Sequence, residues 1–151
     1  MRSSSIKSES SLWLYIRDGM LGRRDATRHE DRLSGGTPDV SYGMAGNNGW
    51  IELKWLNVVV ADKYAPIKIP HFTYDQKRFL RKRGAAGGHC WLLIGVEDVN
   101  GQPTFLLINW TEVDDTIGDT ASYDDLYGKC VRAWGDMIDF DQLREFLRRG
   151  G

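Results

Sequence analysis

The apolar and polar positions of this chain change period several times, and each change predicts a different element. Leu12, Trp13, Ile16, Met20 and Leu21 recur at helical spacing and predict a helix over Leu12 to Leu21, closed near Gly22. The serine-rich segment Met1 to Ser11 reads as frayed chain, at least at its start. Arg23 to Leu33 is highly charged and reads as an extension or restart of helix, broken at Gly35-Gly36. Pro38 to Tyr42 and Trp50 to Leu56 read as two strands of an antiparallel hairpin with its tip at Asn47-Asn48-Gly49. Val58-Val59-Val60 continues that strand or starts another segment, and Ala61 to Phe72, with two prolines, is a loop. A helix is expected from Thr73 to Arg83 with Gly84 as its stop. His89 to Val96 is a continuous apolar run, the mark of a strand buried on both faces. Asn100-Gly101 is a turn and Pro103 to Asn109 a further strand. Thr111 to Trp134 reads as polar and irregular. A last helix opens at Asp139, with Phe140, Leu143, Phe146 and Leu147 on its apolar side and Asp139 and Gln142 at capping-box spacing. Helix, two or three strands, helix, two strands and helix make an α/β chain.

Composition narrows this picture only slightly. At 151 residues, 41% hydrophobic and 27% charged, the chain has the length and composition of one globular domain. The formal net charge of -1 conceals an uneven layout. Lys77, Arg78, Arg81, Lys82 and Arg83 crowd one helix, and acidic residues crowd Glu112 to Asp125. A basic patch rather than a basic total is what a nucleic-acid partner requires, so near-neutrality leaves DNA open. Cys90 and Cys130 have no zinc spacing and form no disulfide framework. No apolar segment suggests a signal peptide or a membrane span, so a soluble intracellular protein is expected.

The chemistry concentrates at two places. Asp39 enters the first strand of the hairpin, and Glu52 and Lys54 lie in the second. Side chains alternate across a strand, so Glu52 and Lys54 share one face and Ile51, Leu53 and Trp55 take the other. Charge inside an apolar strand is expensive unless something compensates it. Two carboxylates converging on a divalent cation, with a lysine beside them to hold water or offset negative charge, is the equipment of metal-assisted phosphodiester hydrolysis.

Gly36-Thr37-Pro38-Asp39, Trp50-Ile51-Glu52-Leu53-Lys54, Gln76 in the next helix and Gly87-Gly88 before an apolar strand together resemble the PD-(D/E)XK nuclease superfamily. The nearest likeness is to the VRR-NUC type and to small phage endonucleases and Holliday junction resolvases, over about residues 28 to 96. The resemblance implies a restriction-endonuclease-like mixed sheet flanked by helices, with the acidic residues at a split between strands. It implies Mg²⁺ or Mn²⁺ held by Asp39, Glu52 and the Leu53 backbone carbonyl, with Lys54 acting on water and phosphate. It implies a further glutamate from the N-terminal helix, Glu30 with Glu9 as the second choice, and a site role for Gln76. The implied activity is a Mg²⁺-dependent DNA endonuclease for branched or structured DNA in phage recombination, repair or replication, with a homodimer supplying paired cuts. Lys77, Arg78, Arg81 and Lys82 would then meet the phosphate backbone.

Plainer readings stand beside these. Glu52 and Lys54 suit a half-exposed strand ladder, and Glu30 sits in a charge run of the kind usually solvated. Thr73-Tyr74-Asp75-Gln76 is a capping box that could engage Gln76 structurally. The basic helix could be a solvated face, and His29, His71 and His89 lack zinc spacing. A catalytically inactive nuclease-fold module that binds DNA is the alternative to the enzyme.

Overall fold

The computed structural model describes residues 6–20, 26–29, 38–44, 47–57, 62–97 and 100–149. Helix α1 (Glu9–Gly19) is followed by strands β1 (Ala26–Arg28), β2 (Val40–Met44) and β3 (Asn47–Leu56), then helix α2 (Tyr74–Ala85). Strands β4 (His89–Glu97) and β5 (Pro103–Asn109), helix α3 (Tyr123–Lys129), strand β6 (Arg132–Gly135) and helix α4 (Phe140–Arg149) complete the order. The six strands form one mixed sheet in the order β1-β2-β3-β4-β5-β6. Every neighbouring pair is antiparallel except β3 and β4, which run parallel. Parallel neighbours need a crossover, and α2 provides it.

The sheet is covered on both faces, which is why β4 reads as unbroken apolar sequence rather than as an alternation. On one face Leu12 and Ile16 of α1 and Leu143 and Leu147 of α4 pack with Ile51, Leu53, Trp91, Leu93, Phe105 and Leu107. On the other, Leu80 of α2 and Leu126 of α3 pack with Cys90, Leu92, Ile94, Leu106 and Ile108. Among the described residues no helix is long and apolar enough to cross a membrane.

Several elements differ from the sequence expectation. Helix α1 starts at Glu9 rather than Leu12, because Ser8 caps it in a reciprocal box with Ser11. Asn47-Asn48-Gly49 is not the hairpin tip but opens β3, paired with Met44, Gly43 and Tyr42. Within the charged run Arg23 to Leu33, residues 26–28 are a strand, since they pair with the otherwise free edge of β2. Strand pairing of this kind overrides local helix propensity. Gly84 does not stop α2. A Cβ there would collide with the Trp110 indole, so the glycine serves close packing while the helix continues to Ala85. The segment Thr111 to Trp134 is not irregular throughout. Ser122 and Asp125 form the capping box of α3, and β6 pairs with the outer edge of β5. Val58-Val59-Val60 lies outside the described residues, apart from which β3 ends at Leu56.

The segment after β5 also positions the loop before α2. Ile67 N–H donates to Ala121 O at 2.9 Å, Ile69 N–H to Gly118 O at 3.2 Å, and Asp124 N–H to Lys63 O at 2.9 Å. These bonds fix the approach of His71 and Phe72 to the sheet.

A buried relay ties α4 to the sheet. The Trp91 indole N–H donates to the Tyr42 hydroxyl at 3.1 Å, and that hydroxyl donates to the Leu147 carbonyl at 3.0 Å. Leu147 lies in the last turn of α4, where carbonyls lack intrahelical partners. Tyr42→Phe would leave a buried donor and a helix-end carbonyl unsatisfied. It is expected to lower stability by about 1–3 kcal/mol, read from chemical denaturation midpoints; an unchanged midpoint would show that the relay is replaceable.

Candidate metal and phosphodiester site

The pleat of the hairpin brings three elements' side chains to one face. Trp50, Glu52 and Lys54 alternate onto the α2 side of β3. Ser41 pairs with Trp50 across β2 and β3, so Ser41 and Asp39, two residues before it, face the same way. The β2–β3 ladder ends at Val40 opposite Ile51. Beyond that point the edge of β3 has lost its backbone partner, and the Asp39 carboxylate takes over: its Oδ2 accepts from Leu53 N–H at 2.8 Å. The N–H and C=O of one strand residue point to the same side. The Leu53 carbonyl therefore faces the Asp39 side of β3 as well.

Glu52 is the unusual group. It is 1% exposed. Among the described residues neither of its carboxylate oxygens has a hydrogen-bond partner. Burial first, and then the neighbouring Asp39 carboxylate, push its pKa up to about 9, against a lowering pull from Lys54. At neutral pH Glu52 thus holds a proton in the metal-free protein.

Lys54, 2% exposed, is the compensating charge. Its Nζ donates to the His71 carbonyl at 3.1 Å and lies 3.6 Å from Glu52 Oε1 and 3.8 Å from Glu9 Oε1. It also sits 5.2 Å from the centre of the Phe72 ring. His71 holds the left-handed backbone conformation, φ 62°, that a non-glycine residue adopts only under constraint from its surroundings. The capped start of α1 delivers Glu9. Its carboxyl is half-exposed, and its pKa is raised, by burial and then by Asp39, against the pull of Lys54.

The sequence candidates therefore separate. Asp39, Glu52 and Lys54 come together, and Glu9, the second choice in sequence, is the helix glutamate beside them. Glu30, the first choice, lies outside the described residues. Gln76 is engaged structurally: its Oε1 accepts from Thr73 N–H at 3.0 Å and its own N–H donates to Thr73 Oγ1 at 3.1 Å.

The five basic residues of α2 do not form one solvated stripe. Lys77 is 7% exposed, over the Phe72 ring, with its Nζ 3.4 Å from the Asp115 carbonyl. Arg81 pairs with the Asp115 carboxylate at 3.2 Å. The acidic segment thus engages two of the five, one by an ion pair and one through a backbone carbonyl, while Arg78, Lys82 and Arg83 are exposed. The His71 carbonyl was invisible in sequence, since no residue-type signal marks a backbone acceptor.

A hard divalent cation fits part of this set. Asp39, Glu52 and the Leu53 carbonyl supply only oxygen, which Mg²⁺ and Mn²⁺ prefer. Two buried carboxylate oxygens without partners are what a cation would satisfy. Among the described residues no group of three or more His, Cys, Asp or Glu side chains is gathered to hold a metal. The candidate set is two carboxylates and one carbonyl.

The raised pKa carries a stability consequence. Between about 4.5, the ordinary carboxyl value, and about 9, the folded chain holds a proton that the unfolded chain has released. The unfolded state binds fewer protons in that window, so stability falls as pH rises, by at most about 1.4 kcal/mol per pH unit. Glu52→Gln should flatten that decline and stabilise the chelator-treated protein at pH 8. Parallel melting-temperature profiles for the two proteins would show that Glu52 is not buried and protonated.

No protein-family model matches the sequence, and no curated protein matches it at significance.

Proposed function

We propose that this chain is a metal-dependent DNA endonuclease with a restriction-endonuclease-like core, hydrolysing phosphodiester bonds in branched or structured DNA. The observation that carries the reading is the Glu52 carboxylate, buried beside Asp39 and Lys54 without a hydrogen-bond partner of its own. A purely structural glutamate buried this deeply would take hydrogen bonds or be replaced by an apolar residue, because a buried carboxyl without hydrogen bonds destabilises the fold even with Lys54 at 3.6 Å to offset its charge. Support also comes from the place of the group, at the point where β2 and β3 separate, and from the sequence resemblance.

Asp39, Glu52 and the Leu53 carbonyl would hold Mg²⁺ or Mn²⁺. Bound there, such a cation neutralises phosphate charge and lowers the pKa of coordinated water. Lys54 brings a preorganised ammonium to the charge that develops on the phosphate, held in place by the His71 carbonyl and the Phe72 ring. Glu9 orients the same ammonium from the α1 side. Arg78 and Lys82, exposed on α2, contribute phosphate contacts without reading sequence.

A second reading, a nuclease-fold module that binds DNA without cutting, is favoured by the absence, among the described residues, of a three-ligand cluster. Incubation of linear duplex, single-stranded, flapped and four-way DNA with Mg²⁺ or Mn²⁺ separates the two. The endonuclease reading expects cutting that chelator abolishes. Asp39→Asn and Glu52→Gln should each reduce it by about a hundredfold or more. Binding without cutting under every metal would leave the second reading standing, and full activity in both variants would reject the site.

Metal must displace the Glu52 proton, so Mn²⁺ affinity should strengthen as pH rises from 6 to 9, with proton release in calorimetry. An affinity independent of pH would remove Glu52 from the ligand set. Arg78→Ala with Lys82→Ala should weaken DNA binding and make its salt dependence shallower by about two phosphate contacts. An unaltered salt slope would take α2 off the DNA face.

A further inference from the structure

The sheet face that carries Glu52 also carries a cleft of about 450 Å³ nearer the hairpin turn, lined by Ser41, Gly49, Trp50, Arg83, Gly88 and His89 among others. Trp50 lies two residues from Glu52 on the same face of β3, about 7 Å along the strand. The cleft is separate from the carboxylates but begins one nucleotide-length step away from them.

Its chemistry is specific in three respects. Among the described residues none that lines it is acidic, although the chain holds 21 aspartates and glutamates. Arg83 is exposed and makes no ion pair among the described residues. Its guanidinium is positioned 5.3 Å from the centre of the Phe79 ring. Trp50 is half-exposed and braced by two rings, Phe79 near perpendicular to it at 5.6 Å and His29 tilted against it at 5.3 Å. His29 is in turn pinned by Ser41, Nε2 to Oγ 2.7 Å. A ring fixed in this way offers a flat face without further ordering cost. Finally, glycines let the backbone close up at this end of the cleft: a Cβ on Gly49 would strike the Tyr42 ring and the His89 carbonyl, and one on Gly88 would meet the Arg83 carbonyl.

An oriented indole face, a planar guanidinium and an imidazole around a polar cleft suit one ligand class. A free phosphate has no use for the indole, and an apolar ligand has none for Arg83. We propose that this cleft is a subsite for a single nucleotide neighbouring the scissile bond, its base stacked on Trp50 and its phosphate held by Arg83 and His89. The position relative to a scissile bond rests on the endonuclease reading; the nucleotide chemistry rests on the cleft itself.

Titration of the metal-free protein with deoxyadenosine monophosphate, followed by indole N–H resonances in NMR, tests it. The Trp50 resonance, identified by its loss in Trp50→Phe, should shift saturably. Arg83→Ala, at an exposed position, should weaken the affinity about tenfold, as loss of one charge-assisted contact does. Binding of the monophosphate by a protein that never cuts DNA supports the subsite while removing the endonuclease. An unmoved Trp50 resonance, equal affinity in Arg83→Ala, or inorganic phosphate competing as well as the nucleotide each overturns the subsite.

Discussion

Two ionisable side chains stand on one face of a strand inside a covered sheet, and much of the surrounding architecture accommodates them. Lys54 needs partners for a buried ammonium. It finds the His71 carbonyl, the Phe72 ring and two glutamates from different elements. The loop that presents His71 and Phe72 is in turn tied by backbone bonds to the segment before α3. The C-terminal part of the chain, far from any motif, therefore braces the roof of the site. Glu52 differs from Lys54 in that the described fold leaves its oxygens without hydrogen bonds. That asymmetry, a satisfied cation beside an unsatisfied carboxyl, is what turns a structural curiosity into a candidate site.

The end of the β2–β3 ladder is the geometric counterpart of that asymmetry. Where β2 stops, a strand edge would expose an unpaired N–H within the fold. Asp39 supplies the missing acceptor through its side chain. The Leu53 carbonyl faces the same edge of β3. One local event, the end of strand pairing, thus places a carboxylate and leaves a backbone oxygen beside it.

Electrostatics elsewhere follow a different rule. The acidic stretch after β5 and the basic stretch of α2 look in sequence like two independent surfaces. Folding lays the Asp115 carboxylate against Arg81 and its carbonyl against the buried Lys77, and Asp114 against Lys129. The two ion pairs, at part-exposed positions, contribute little stability. Their larger effect is to reduce the free positive charge on α2 to a few residues and to leave Arg83 for the cleft at its end.

The sequence by itself determined the elements with strong periodicity and the residue types of the site. The β4 run, the Pro103–Asn109 strand, the capping box at Thr73 and the shared face of Glu52 and Lys54 follow from pleat, turn chemistry and apolar pattern, all local properties. Tertiary structure decided whatever depended on a partner distant in sequence. The three-residue β1 and the four-residue β6 are too short to show a period and exist because free strand edges pair with them. Glu9 meets Lys54 because α1 packs across β3. The inward turn of Lys77 depends on a loop nearly forty residues further along the chain. Local pattern reports what a segment buries; only packing settles which segment it is buried against, because that contact belongs to two stretches of chain at once.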